Sequence, residues 1–158
     1  MEMPVFTIRG KNHRERGVDY GVQCKELIQG VLERYIRFFN GGHTAVSWDE
    51  AKVISKEFLP FIRSYSPELL DELEGIAQGA DVEFDDLLTL NSRSEAMTLV
   101  RRPPSDKEEL DGCSSVAVLP DASANGHTIL AQNWDTYTWQ EYGTVILQIF
   151  RDDGPDLM

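Results

Sequence analysis

Residues 101–119 read RRPPSDKEELDG and then CSSVAVL, and the change of pattern between the two halves decides the fold. Residues 101–112 combine two prolines, a run of charges and no apolar periodicity, which is the composition of an exposed connection. From Cys113 onward β-branched and apolar residues predominate and the period becomes two, which predicts a strand. Two more such stretches follow, HTILAQNW at 127–134 and GTVILQIF at 143–150. Asn125-Gly126, between the first two, is a hairpin-turn pair because both residues tolerate positive φ. A small antiparallel sheet is expected, with Cys113 as the first residue of its first strand.

Upstream the periodicity is helical. After a short strand at 4–9 (PVFTIR), one long helical pattern carries Val18, Val22, Leu27, Ile28, Val31, Leu32, Tyr35, Ile36 and Phe39 at spacings of three and four. It stops at Asn40-Gly41-Gly42, where glycine takes up the left-handed conformation cheaply. Ser47 and Glu50 are spaced as a capping box for the next helix, which Pro60 kinks or ends. Ser66-Pro67 pairs a hydroxyl cap with proline at the first helical position, opening a helix through Leu69, Leu70, Leu73 and Ile76 to about Gly79. A further helix starts near Phe84. The chain therefore reads as α+β: a mostly helical segment, 1–112, followed by a strand-rich segment, 113–158.

Composition narrows the function. A chain of 158 residues with 41% hydrophobic side chains can bury a core of its own. With 27 acidic against 15 basic residues the net charge is −12, which disfavours nucleic acid as a partner. No run of about 18 apolar residues is present to span a membrane, and the opening MEMPVFTIRGKNHRERG has no signal-peptide core, so a cytoplasmic protein is expected. Cys24 and Cys113 stand far apart without clustered histidines, so neither a zinc site nor a disulfide framework is expected, and no metal or cofactor is implied. Within its helical pattern, Cys24 reads as core packing. His13, His43 and His127 lie in turn-like contexts and read as structural or exposed.

Gly112-Cys113-Ser114 sits where a connection meets a strand. A thiol there can attack the carbonyl of the preceding residue, and glycine at 112 leaves that carbonyl unobstructed. Hydrolysis of the resulting thioester would leave Cys113 with a free α-amine. With an ordinary pKa of about 8, that amine can serve as base for its own thiol without a histidine. A hairpin through Asn125-Gly126 would bring Gln132-Asn133-Trp134-Asp135 back beside Cys113. Asp135 could then orient the α-ammonium group, or simply cap a turn at the strand end.

Several segments resemble one family in order. Asp111-Gly112-Cys113-Ser114-Ser115 followed by Gln132-Asn133-Trp134-Asp135 is similar to the self-cleavage site and first hairpin of the acyl-coenzyme A:isopenicillin N acyltransferase family. Arg16-Gly17-Val18-Asp19-Tyr20-Gly21, Glu74-Gly75-Ile76-Ala77-Gln78-Gly79-Ala80 and Leu90-Asn91-Ser92-Arg93-Ser94-Glu95 resemble further segments of that family. The resemblance runs over nearly the whole chain.

It implies an N-terminal-nucleophile fold, an αββα sandwich of which this sequence holds the helical leader and the first antiparallel strands. It also implies a precursor that cuts itself at Gly112–Cys113 and then forms an acyl-enzyme on Cys113, passing the acyl group to water or an amine. Asp135 would belong to the nucleophile's surroundings, with Gln132, Asn133, Trp134 and Ser114 as supports or pocket wall. Asn91, Arg93 and Glu95 would support the site from the other product chain, although paired surface charges are common enough to favour a helix-terminal salt-bridge set. The implied substrate is a small amide or acyl thioester. A coenzyme A thioester rests on the resemblance alone, since no glycine-rich phosphate loop is present.

Family members continue through more strands, so the expected partner is a second copy or the remaining C-terminal portion. Two other readings stand beside this one. The chain could be a shortened, non-catalytic product acting as a dimerising or binding module, or a bile-salt or N-acylethanolamine amidase on the same fold.

Overall fold

The computed structural model of the chain describes residues 3–99, 113–152 and 154–158. The connection expected at 101–112, including Gly112, lies outside the described residues. Two compact units are present. One comprises the helical segment together with the residues from Tyr142 onward, and the other, ending at Glu141, carries the strands that follow Cys113.

In the helical unit β1 (Val5–Ile8) leads into α1 (His13–Gln23) and α2 (Lys25–Phe38). Asn12 caps α1 by accepting the Glu15 N–H at 2.9 Å. Where apolar spacing predicts one long helix, the structure has two, which meet at Cys24 with φ −106° and ψ 15°. The hydrogen-bond ladder survives the junction, since Cys24 N–H donates to the Tyr20 carbonyl and Ile28 N–H to the Cys24 carbonyl, both at 2.9 Å. Periodicity records only the shared buried face, so a local distortion of the backbone leaves no mark on it. After α2 a π-type turn spans Phe39–His43, with Gly42 at φ 79° as the glycine pair predicts.

The capping box forms in full at α3 (Trp48–Lys56). Glu50 N–H donates to Ser47 Oγ at 3.3 Å, and Ser47 N–H donates to Glu50 Oε2 at 2.8 Å. Hydrogen bonds from the Ser47 backbone and then from its hydroxyl hold the Glu50 carboxyl below its usual range. A carboxyl whose folded-state pKa is depressed adds stability above its unfolded pKa, and that part is lost as pH falls through the folded value. Ser47→Ala, which removes both the cap and the partner of Glu50, is therefore expected to lower stability near neutrality. Urea melts should show the penalty shrinking below about pH 4, the ordinary glutamate range. A penalty unchanged down to about pH 3.5 would mean that the carboxylate takes no part.

Pro60 falls in the first turn of α4 (Leu59–Tyr65), where its missing N–H is harmless. α5 (Pro67–Ala80) begins with Pro67, but its expected hydroxyl cap does not form. The Ser66 hydroxyl donates to Glu68 Oε2 at 2.8 Å and accepts no N–H of the first turn. Asp81 closes α5 in the left-handed region at φ 56°. α6 (Phe84–Asn91) and α7 (Arg93–Leu99) complete the helices, and Ser92 Oγ lies 2.8 Å from both Ser55 Oγ and the Leu88 carbonyl in the buried α3–α6 contact.

The tightest packing joins α1 to α5. Gly17 and Gly21 face Gly75 and Gly79, and backbone lies against backbone at every one of the four. A Cβ on Gly21 would come 2.7 Å from Ala80 N and 2.9 Å from Gly79 Cα, and one on Gly79 would come 2.8 Å from Val22 N. At the N-terminal end of α1, His13 Nδ1 lies 2.9 Å from Glu72 Oε2, and Arg14 pairs with Glu74. Cys24, Ile28, Ala77, Ala80 and Leu87 form a buried cluster beside it.

The strands after Cys113 correct one expectation. β2 (Ser114–Val118) and β3 (Ile129–Asn133) pair antiparallel, from Val118↔Ile129 at the loop end to Ser114↔Asn133. The third strand, β4 (Ile146–Ile149), does not join them. It runs parallel to β1 in the helical unit, from Val5↔Ile146 to Ile8↔Ile149. A period of two identifies a strand but not its neighbour, which is why the sequence pattern misplaced β4. The turn at Asn125-Gly126 sits within a longer loop that includes a 3₁₀ turn at Pro120–Ala122, with Gly126 at φ 70°.

Candidate active site

Cys113 directly precedes β2 and is exposed. Because Ser114 pairs with Asn133 and Ser115 with Gln132, the end of β3 lies beside the thiol. The Cys113 thiol reaches the backbone carbonyl of Asp135 at 3.9 Å. The Asp135 carboxylate is engaged elsewhere, accepting from Asn133 Nδ2 at 2.9 Å through Oδ1. The hairpin thus gathers Cys113, Ser114, Gln132, Asn133, Trp134 and Asp135 at one end, and it is the carbonyl of Asp135 that meets the sulfur.

Beyond Trp134 the strand end continues into Tyr137 and Trp139, which the motif reading passed over. Trp134 and Tyr137 are exposed. The Tyr137 and Trp139 rings lie nearly parallel, 6.0 Å apart at an interplanar angle of 14°. Their spacing after Trp134 in an otherwise polar stretch is the signal that could have found Tyr137 and Trp139.

Asn91, Arg93 and Glu95 belong to the helical unit and, among the described residues, do not form the expected salt-bridge set. Arg93 Nη1 donates to the Leu90 carbonyl at 2.9 Å, with the guanidinium 5.0 Å from the centroid of the Tyr35 ring. Glu95 is exposed and, among the described residues, makes no ion pair with Arg93. Asn91 and Arg93 help to line an otherwise largely apolar pocket of about 210 Å³ whose walls include Cys24, Ile28, Leu73 and Val145. Cys24 itself is 2% exposed, and burial pushes its thiol up to about 11, which fits packing rather than chemistry.

His43 stacks on Phe38 with centroids 5.3 Å apart, and His127 lies in the exposed turn, its N–H donating to Asn125 Oδ1 at 3.2 Å. Among the described residues no three His, Cys, Asp or Glu side chains are placed to hold a metal ion. No helix among them is long and apolar enough to cross a membrane.

No family model matches the chain. Among curated proteins it is similar to the beta-alanyl-dopamine/carcinine hydrolase of Drosophila melanogaster, with 28% identity over 158 residues, covering 95% of this chain and 38% of that protein. It is also similar to the 40 kDa form of acyl-coenzyme A:6-aminopenicillanic-acid-acyltransferase of Emericella nidulans, with 28% identity over 144 residues, covering 88% of this chain and 37% of that protein. The chain thus spans less than two fifths of the length of either relative. Along nearly all of its own length, then, it is a relative of a named hydrolase and a named acyltransferase, and the resemblance to the acyl-coenzyme A:isopenicillin N acyltransferase family stands.

Proposed function

We propose that the protein is a self-activating cysteine amidohydrolase or acyltransferase of the N-terminal-nucleophile type, acting in the cytosol on a small amide or acyl thioester. One observation carries the reading: an exposed thiol at Cys113 heads a strand whose partner brings Gln132, Asn133, Trp134 and Asp135 alongside.

Activation starts with attack of the Cys113 thiolate on the carbonyl carbon of Gly112. The C–S bond forms, the Gly112–Cys113 C–N bond breaks, and the departing nitrogen takes a proton to become the α-amine of Cys113. Water then hydrolyses the thioester, leaving a carboxylate on Gly112 and a thiol on Cys113, so that residues 1–112 and 113–158 become separate chains. In turnover the α-amine accepts the thiol proton and the thiolate attacks the substrate carbonyl. The leaving amine or thiol departs with that proton. Water or a second amine releases the acyl group.

Asp135 orients the α-ammonium group in this scheme, with Asn133 holding its carboxylate and Gln132, Trp134 and Ser114 framing the thiol. Donors for the tetrahedral oxyanion, each worth about 10²–10³-fold in rate, are assigned to polypeptide equivalent to the rest of the longer relatives or to a second copy. That polypeptide would also complete the αββα sandwich. A second reading, a non-catalytic dimerising module, is favoured by the exposed apolar side chains of the hairpin, Val116, Ile129 and Leu130.

Intact-mass spectrometry of the chain over time, beside Cys113→Ala, tests the proposal. The wild type is expected to split into pieces of 112 and 46 residues out of 158 while the variant stays whole. If both remain whole, and a wild type extended to the length of the relatives does too, self-activation is wrong. Dimers of the uncut chain in native mass spectra would then favour the second reading.

A further inference from the structure

We propose that the pocket of the helical unit is a ligand site for a small amphipathic anion, a carboxylate of about eight carbons whose head meets Arg93 and whose tail lies between the helices. The site goes beyond the reading of Cys113 and needs no reaction there. A free carboxylate has no leaving group, so it is held and not transferred.

Three observations converge on the pocket. The first is its wall. Leu27, Ile28, Leu73, Leu87 and Leu90 give a cavity of about 210 Å³ an apolar lining. An apolar cavity of about 150 Å³ stays dry and takes up benzene, so in proportion this one has room for about eight carbons. Every lining residue belongs to the helical unit, so the pocket is complete within one compact unit.

The second is charge. Arg93 is the only lining residue that is charged at neutral pH, because Tyr20 and Cys24 keep their protons. Burial first, and the Cys24 thiol second, raise the Tyr20 hydroxyl above its usual range, and burial pushes the Cys24 thiol up to about 11. A lone positive charge thus stands at an apolar wall in a chain whose net charge is −12.

The third is what the guanidinium leaves unused. It is half-buried, and among the described residues its partners are the Leu90 carbonyl at 2.9 Å and the Tyr35 ring at 5.0 Å, both neutral. A charge drawn out of water without a counter-ion is costly, and a carboxylate is the group that the guanidinium fork matches. The same two contacts fix the fork in advance, so less ordering remains to be paid for on binding. Asn91 is exposed and also lines the pocket, adding an amide donor at its rim.

Sodium octanoate and 1-octanol are the probes, since they share the tail and differ in the head. Both are titrated into the full chain carrying Cys113→Ala, which keeps all the lining residues on one polypeptide, and the methyl resonances of Ile28, Leu73, Leu87 and Leu90 are followed by NMR. Octanoate is expected to bind about tenfold more tightly than 1-octanol, the increment of one charged hydrogen-bonded contact. Arg93→Gln should remove that preference by weakening octanoate alone, with unchanged 1-octanol affinity reporting an intact pocket. Arg93→Lys, which keeps the charge, should retain part of it.

Equal affinities for the two probes, no binding of either, or a preference that survives Arg93→Gln would overturn the site. So would equal weakening of both probes by Arg93→Gln, which would make Arg93 structural, or shifts confined to Val116, Ile129 and Leu130 of the hairpin. None of these readings depends on whether the Gly112–Cys113 bond is cut.

Discussion

Gly21→Ala lowers the melting temperature by about 6–12 °C, the shift that about 3 kcal/mol produces in a chain of this size. Intrinsic propensity argues for the opposite sign, because replacing a glycine inside a helix by alanine ordinarily stabilises it by about 1 kcal/mol. The seam decides the outcome. The added Cβ would overlap the Ile76 carbonyl and lie 2.7 Å from Ala80 N and 2.9 Å from Gly79 Cα. All of these are backbone atoms, so no side-chain rotation relieves the contact and α1 must move off α5. Displacing α1 also disturbs Cys24, which begins the neighbouring buried cluster. Differential scanning calorimetry of Gly21→Ala checks this, and a melting temperature equal to or above the wild type would mean that the two backbones are not in contact.

Trp48→Ala should cost about 3–5 kcal/mol, the range for removing a buried aromatic side chain. Trp48 is 3% exposed and packs edge-on against Phe39 with ring centroids 5.2 Å apart. Its Nε1–H donates to Asp86 Oδ1 at 2.8 Å, tying α3 to α6. Trp48→Phe separates the contributions in part, because a phenyl ring keeps most of the apolar contact while losing the donor and part of the ring volume. Asp86 retains Lys52 Nζ at 3.4 Å, so its carboxylate is not stranded. Trp48→Phe is expected to cost about 1.5–3 kcal/mol, the range of one hydrogen bond to a charged group. Urea denaturation of both variants is the measurement, and equal losses would assign the whole effect to the indole N–H.

The part of this architecture that could be read from sequence is the part governed by neighbours in the chain. The Ser47–Glu50 box, the prolines at 60 and 67 and the positive φ at Gly42 each follow from a few consecutive residues. The β2–β3 hairpin follows from two consecutive strands with a turn pair between them. Partners far apart in sequence were not legible. β4 carries the same alternation as β2 and β3 yet pairs with β1, and Gly17, Gly21, Gly75 and Gly79 show their purpose only when two helices cross.

The candidate site divides the same way. Motif spacing brought Cys113 together with the end of β3. It did not reveal that Asp135 meets the sulfur through its carbonyl while its carboxylate turns to Asn133. That choice depends on backbone direction at the strand end, which residue identity does not encode. Arg93 likewise finds a carbonyl and a ring instead of the carboxylate two residues along, since positions i and i+2 of a helix point apart.

The β1–β4 ladder joins residues 141 positions apart, Thr7 to Gln148 among them. In a continuous chain its formation is a loop closure, and closure entropy grows only slowly with loop length. A cut at Gly112–Cys113 leaves β1 on one piece and β4 on the other, and changes the character of that ladder without moving an atom of it. Pairing that was unimolecular becomes an association, governed by mass action and weakened by dilution. The ladder would then be the joint of a two-chain protein, so that the lifetime of the processed species depends on its own concentration.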